Sequence, residues 1–145
     1  VINDDVQAAL ACGADGVHVG QEDMQAADVR RLIGPDKILG VSAQTVEQAL
    51  LAEANGADYL GVGAVFSTST KADAVEVPAP ILHDICQAVS IPVIAIGGIK
   101  AENIMKLRNS GIVGIAVVSA IFAAPNIAQA TQSLAKAVQN MLEQI

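Results

Sequence analysis

Six short polar segments hold the residues that could do chemistry: Asn3-Asp4, Gly20-Gln21-Glu22-Asp23, Ser42, Thr68-Ser69-Thr70-Lys71, Gly97-Gly98 and Val118-Ser119. Asp4 and Asp23 are hard oxygen donors. Mg²⁺ commonly binds through one or two protein carboxylates and completes its shell with water and substrate phosphates. The same two residues also fit a helix N-cap and a first-turn aspartate, respectively. Lys71, after Thr68 and Thr70, is suited to phosphate as a point charge, or else is a solvated loop lysine. Gly97-Gly98 would let backbone approach a ligand closely. A helix beginning near Ala101, together with Asn103, would then offer amides to an anion. Ser119 and the amides after Val118 would complete the cradle; the alternative is a tight turn with close packing. His18, inside Val17-His18-Val19, reads as a satisfied core histidine, with orientation toward a site mouth as the alternative. His83 reads as a surface residue. No His/Cys cluster suggests zinc, and no Ser/His/Asp nucleophile can be assembled.

What must position these segments is a repeated unit. Gly13-Ala14-Asp15-Gly16-Val17-His18-Val19-Gly20 returns as Gly56-Ala57-Asp58-Tyr59-Leu60-Gly61-Val62-Gly63 and, more loosely, as Gly111 to Val118. Each copy follows a helical pattern, so its first glycine supplies a left-handed helix cap before a buried strand. Strands are expected at 16–19, 38–42, 59–65, 93–97 and 114–118, with the tail of another at 1–3. Helices are expected at 5–12, 24–33, 45–55, 79–89, 101–110 and 126–143. Thr45 with Gln48 fits a capping box. The last helix aligns Ile127, Leu134, Val138, Met141 and Ile145 on one face. Continuously apolar strands suggest a parallel sheet covered on both faces.

Alternating strands and helices leave a doubly wound sheet or a (β/α)8 barrel. A dinucleotide-binding fold would place G-x-G-x-x-G after its first strand. Here the glycine-rich turn comes late, and it is followed by a polar turn at the next strand end. That matches a barrel phosphate site after strands seven and eight. The expectation is therefore α/β: a parallel (β/α)8 TIM barrel, incomplete, comprising about strands 3–8, with residues 1–145 as a single domain. A full barrel runs to at least ~200 residues. The chain opens without Met, so it reads as the later two-thirds of a longer barrel, unable to close alone and inactive by itself.

Composition limits the other classes. Of 145 residues, 52% are hydrophobic, 16% charged and only 2% aromatic, which describes a globular chain with an aliphatic core. The net charge of −7 comes with scattered Arg and Lys, arguing against nucleic acid. No apolar run approaches the ~20 residues of a membrane helix. Cys12 and Cys86 lie in apolar helical patterns and read as unpaired core thiols in a cytoplasmic protein. A homo-oligomer is left open.

Taken in order, the motifs resemble one family. Val1-Ile2-Asn3-Asp4-Asp5-Val6 resembles the I-N-D-x-x-x-x-A stretch of thiamine-phosphate synthases. Gly13 to Asp23 is similar to their G-A-D-G-V-H-[LIV]-G-Q-x-D segment, and Gly40-Val41-Ser42 to their G-x-S strand end. Ala64 to Lys71 resembles G-P-[IV]-[FY]-x-T-x-T-K. Ala95 to Ile99 and Val117 to Ile121 are similar to the two phosphate turns. The resemblance covers the whole chain in the right order; the family's N-terminal third, with its Q-x-R-x-K segment on the second strand, is absent from this sequence.

The resemblance implies a Mg²⁺-dependent transferase in thiamine biosynthesis that takes small-molecule phosphate substrates. It would condense 4-amino-2-methyl-5-hydroxymethylpyrimidine diphosphate with 4-methyl-5-hydroxyethylthiazole phosphate and release pyrophosphate. Asp4 and Asp23 would hold the metal. Asn3, Ser42 and Lys71 would hold the diphosphate, Ser42 and Lys71 acting at the chemical step. Thr68, Thr70, Gly98 and the Val118-Ser119 backbone would hold the thiazole and its phosphate. Ala64 and Ser67 depart from the family's pattern at positions that adjust loop stiffness. The rival readings are a thiazole tautomerase on the same barrel and a non-catalytic phosphate-binding barrel. The T-x-T-K loop and the aspartate pair favour the synthase.

Overall fold

A computed structural model describes residues 1–70, 72 and 74–143. In chain order the elements are β1 (Ile2–Asn3), α1 (Val6–Ala11), β2 (Gly16–Val19), α2 (Ala26–Ile33), β3 (Ile38–Ala43), α3 (Val46–Ala54), β4 (Tyr59–Val62), α4 (Ala79–Ala88) and β5 (Val93–Ile96). A single 3₁₀ turn (Ile104–Leu107), β6 (Gly114–Ala116), the short α5 (Ser119–Phe122) and α6 (Ile127–Leu142) complete it. The six strands pair in sequence order, β1-β2-β3-β4-β5-β6, and every pairing is parallel. This is an α/β half-barrel.

The strands are not apolar on both faces. Val17, Val19, Leu39, Val41, Leu60, Val62, Val93 and Ala95 alternate along the strands and are buried. They join Val6, Ala9, Val29, Ile33, Ala49, Ala52, Leu82 and Ile85 of the helices in one core. The intervening positions of the central strands are His18, Gly40, Ser42, Tyr59 and Gly61. One sheet face is thus a hydrocarbon layer under helices, and the other is small and polar. The period-2 geometry of a strand allows this division.

Local chemistry explains the helix ends. Asp5 caps α1, its Oδ1 accepting from the Ala8 amide at 2.8 Å. Thr45 Oγ1 accepts from the Gln48 amide at 3.2 Å, while Gln48 Oε1 reaches the Gln44 amide at 2.8 Å. The capping box is therefore displaced by one residue at its return bond. Asn126 caps α6 through the Gln129 amide. On α6, Leu134 and Met141 are buried and Ile127 is 48% exposed; Ile145 lies outside the described residues.

Two further expectations fail here. The helix expected at 101–110 is only the 3₁₀ turn. Asn103 competes for the backbone there, its Oδ1 accepting from the Lys100 amide at 2.8 Å and its Nδ2 donating to the Gly98 carbonyl at 2.9 Å. The buried residues Ile104 and Leu107 are spaced by three, which suits a 3₁₀ turn. Cys12 is not a core thiol: it stands exposed at the C-cap of α1. Cys86 is half-buried, and burial pushes its thiol up to about 11. Both are free. Among the described residues no helix is long and apolar enough to cross a membrane.

The end of the sheet where strands begin is tied together by side chains. Arg30 of α2 donates through Nη1 to the Gly34 carbonyl at 2.8 Å and the Lys37 carbonyl at 2.7 Å. Its Nε and Nη2 donate to the Gly56 carbonyl at 3.1 and 2.7 Å. Nη2 also meets Asp58 Oδ2 at 2.6 Å, and that oxygen accepts from the Leu39 amide at 2.7 Å. Lys37 Nζ donates to the Ala14 carbonyl.

Candidate active site

The opposite end, where strands finish, carries the polar segments. Asp4 follows β1 directly. It adopts φ 65° and donates its amide to the His18 carbonyl at 2.7 Å, which fixes it to the end of β2. Aspartate tolerates this left-handed conformation better than most residues. Because Asp5 takes the cap of α1, Asp4 is not the helix N-cap, and its side chain stands exposed at the rim beside Asn3.

Asp23 closes the loop after β2. Its Oδ2 accepts from the Gly20 amide at 2.7 Å, and its own amide donates to the Gly20 carbonyl at 3.3 Å. It precedes α2, whose N-cap is Gln25, so it is not a first-turn residue. Gln21 spans to the next strand, donating from Nε2 to the Ser42 carbonyl at 2.7 Å. Asp4, Asp23 and Ser42 therefore follow or end three successive strands. Among the described residues no group of three or more His, Cys, Asp or Glu is placed to hold a metal by itself. Two exposed carboxylates on adjacent strand ends are hard oxygen donors, the type a divalent cation takes together with water.

Ser42 is half-buried, with Oγ 2.9 Å from His18 Nε2. On the far side of the ring, His18 Nδ1 lies 2.9 Å from Tyr59 Oη. The two rings sit 5.4 Å apart at 41°. Glycines make the space: a Cβ on Gly40 would collide with both rings, and one on Gly61 would lie 3.1 Å from His18 Cε1. Burial pushes the Tyr59 phenol up. His18 is thus satisfied, as expected, and it also faces Ser42. Tyr59 was not legible as part of this group. The available signal was strand register, which sets His18 opposite Gly40 and Gly40 opposite Tyr59.

The loop after β4 packs on the turn after β5. Val65 and Phe66 donate to the carbonyls of Ile96 and Gly97 at 3.0 and 3.1 Å. Gly97 and Gly98 have φ of 98° and 66°. A Cβ on Gly98 would lie 2.7 Å from the Phe66 carbonyl oxygen and closer still to that of Ser67. The space beside Gly98 is therefore filled by protein backbone, as the tight-packing alternative requires. No α-helix starts near Ala101, so the helix N-terminal amides expected there are not formed, and Asn103 is spent on the turn. Thr68 Oγ1 accepts from the Thr70 amide at 3.2 Å. Lys71 lies outside the described residues. Val118 and Ser119 are exposed at the start of α5, where Ser119 lines a cavity with Lys100, Glu102 and Ser133.

A family model described as thiamine monophosphate synthase matches residues 1–121. The chain belongs to that family. Among curated relatives, thiamine-phosphate synthase of Ruminiclostridium cellulolyticum is 59% identical over 92% of this chain and 64% of its own length. That of Methanobrevibacter smithii is 53% identical over 94% of this chain and 65% of its own. The solved structure of thiamine phosphate pyrophosphorylase from Pyrococcus furiosus superposes with a TM-score of 0.87 at 44% identity, covering 97% of this chain and 67% of that one. This member of the thiamine monophosphate synthase family thus spans less than two thirds of the length of these curated relatives.

Proposed function

We propose that this chain forms most of the catalytic rim of a thiamine-phosphate synthase. The reaction joins 4-amino-2-methyl-5-hydroxymethylpyrimidine diphosphate to 4-methyl-5-hydroxyethylthiazole phosphate, giving thiamine phosphate and pyrophosphate. The observation that carries the reading is the grouping of Asp4, Asp23 and Ser42 at three successive strand ends, in a chain of this family. On this reading the six strands are strands three to eight of a TIM barrel, and residues 1–145 belong to one domain.

Loss of diphosphate leaves positive charge on the pyrimidine methylene and added negative charge on the departing oxygens. Groups aimed at that developing charge lower the barrier most. Asp4 and Asp23 would hold Mg²⁺, which supplies charge neutralisation for the leaving group. Asn3, Ser42 and Lys71 bind and orient the diphosphate. Thr68, Thr70, Gly98, Val118 and Ser119 position the thiazole phosphate, Gly98 by letting the loop after β4 close against it. The thiazole nitrogen then attacks a carbon held in place, so proximity replaces a strong general base.

The test is substitution of each aspartate. In the protein, Asp4→Ala or Asp23→Ala should lower Mg²⁺-dependent turnover by about a hundredfold or more, with thiazole phosphate affinity kept. Unchanged turnover in both variants would remove the metal assignment. Lys71→Ala should slow the single-turnover rate at saturation more than it weakens binding.

A further inference from the structure

We propose that His18 and Tyr59 are positioning residues that turn the Ser42 hydroxyl proton toward the catalytic rim. This deepens, and rests on, the reading of Ser42 as a diphosphate contact. The three side chains form one line: Tyr59 Oη, His18 Nδ1 at 2.9 Å, and His18 Nε2 to Ser42 Oγ at 2.9 Å. They lie on the polar face of three adjacent strands, and Gly40 and Gly61 leave the ring its place.

Taken as neutral, the imidazole has one N–H and one lone pair, and between Tyr59 and Ser42 the line then runs in one of two directions. Either Tyr59 donates to Nδ1 and Nε2–H donates to Ser42, or Ser42 donates to Nε2 and Nδ1–H donates to Tyr59. The phenol is the more acidic hydroxyl and the better donor. The single lone pair of His18 therefore goes to Tyr59. Burial keeps that phenol protonated, since its titration is pushed up. His18 must then carry its proton on Nε2 and give it to Ser42. With Oγ already accepting, the Ser42 proton is directed to an acceptor at the end of β3. An anionic oxygen is the acceptor that gains most from it.

The reverse direction would serve an anion poorly. Ser42 would spend its proton on histidine and present only lone pairs, which repel phosphate oxygens. The tautomer of His18 thus decides whether Ser42 attracts or repels the ligand. A neighbouring group's hydrogen bond selects that tautomer here.

The experiment combines ¹⁵N NMR of the His18 ring with titration of inorganic pyrophosphate in the presence of Mg²⁺. In the unsubstituted protein, His18 should be protonated on Nε2 and unprotonated on Nδ1. Ser42→Ala should weaken pyrophosphate about tenfold, and Tyr59→Phe about threefold, with the His18 proton moving toward Nδ1. Tyr59→Phe in the Ser42→Ala background should cost nothing further, because the relay has lost its end. His18→Leu should match Ser42→Ala, and His18→Gln, which keeps a donor toward Ser42, should recover most of the affinity. An Nδ1-protonated His18 in the unsubstituted protein overturns the relay alone. So does additivity of the Tyr59 and Ser42 substitutions. Unchanged pyrophosphate affinity in Ser42→Ala overturns the anion reading of Ser42 and this proposal with it.

Discussion

The two ends of the sheet are built from the same repeat but by different means. Where strands begin, polar side chains are consumed by backbone: Arg30 reaches carbonyls of Gly34, Lys37 and Gly56, and Asp58 joins it to the Leu39 amide. Glu53 does the same for the entry to β5, with Oε1 accepting from Ser90 Oγ at 2.6 Å and from the amides of Ser90 and Ile91. Where strands finish, Asn3, Asp4, Asp23, Thr70 and Ser119 are exposed. The first end spends its polar groups on the fold, while at the second several polar side chains stay exposed even where some of them also bond to backbone. A parallel barrel allows this separation because stability and chemistry occupy opposite strand termini.

The largest effect should come from breaking the tied end. Arg30→Ala leaves carbonyls of Gly34, Lys37 and Gly56 without their charged donor and Asp58 without its cation. The expected loss is about 3 kcal/mol of stability, the range for a hydrogen-bonded charge with several partners. Urea unfolding would measure it. Substrate affinity of the molecules that remain folded should be unchanged, since Arg30 is at the wrong end of the strands. A stable Arg30→Ala protein with weakened ligand binding would mean the two ends are not independent.

A smaller effect should follow at Gly98, where the open end is most tightly packed. Gly98→Ala imposes a Cβ at φ 66°, against the Phe66 and Ser67 carbonyls. The conformational strain is about 1–2 kcal/mol, and the loop after β4 must move as well. Thiazole phosphate affinity should fall with stability, by about tenfold. Titration and thermal unfolding on the same sample would separate them. Full affinity would show that this loop need not rest on Gly98 to bind ligand.

These sites differ in how far they could be read from sequence. The strand order and the rim residues followed from the glycine-led repeats and from apolar runs, because those patterns are local. Arg30 could not be found that way: its acceptors are backbone carbonyls up to 26 positions distant. The turn at 101–110 misled because Ala101 to Leu107 has helical composition while the Asn103 side chain binds both flanks. Cys12 misled because an apolar helix pattern does not reveal where the helix ends. Tyr59 was hidden because its partner lies across a glycine two strands away.

The smallest effect, and the finest test of the tied end, is the pH response of Glu53. Hydrogen bonds from the Ser90 hydroxyl, then the Ser90 amide, hold its carboxyl below the ordinary carboxylate range. A lowered folded pKa means the unfolded chain takes up the proton first. The stabilisation is therefore complete above the unfolded value of about 4.3, and it is lost as pH falls through the lower folded value. Glu53→Gln keeps the shape and removes the titration. Its melting temperature should lie below that of the unsubstituted protein at pH 7, and the gap should narrow as pH drops below about 4. Aspartates at the open end, Asp4 and Asp23 among them, are common to both proteins and cancel in the difference. A gap that stays constant from pH 7 to pH 3 would show that Glu53 acts there by shape alone, and that its charge does not hold the entry to β5.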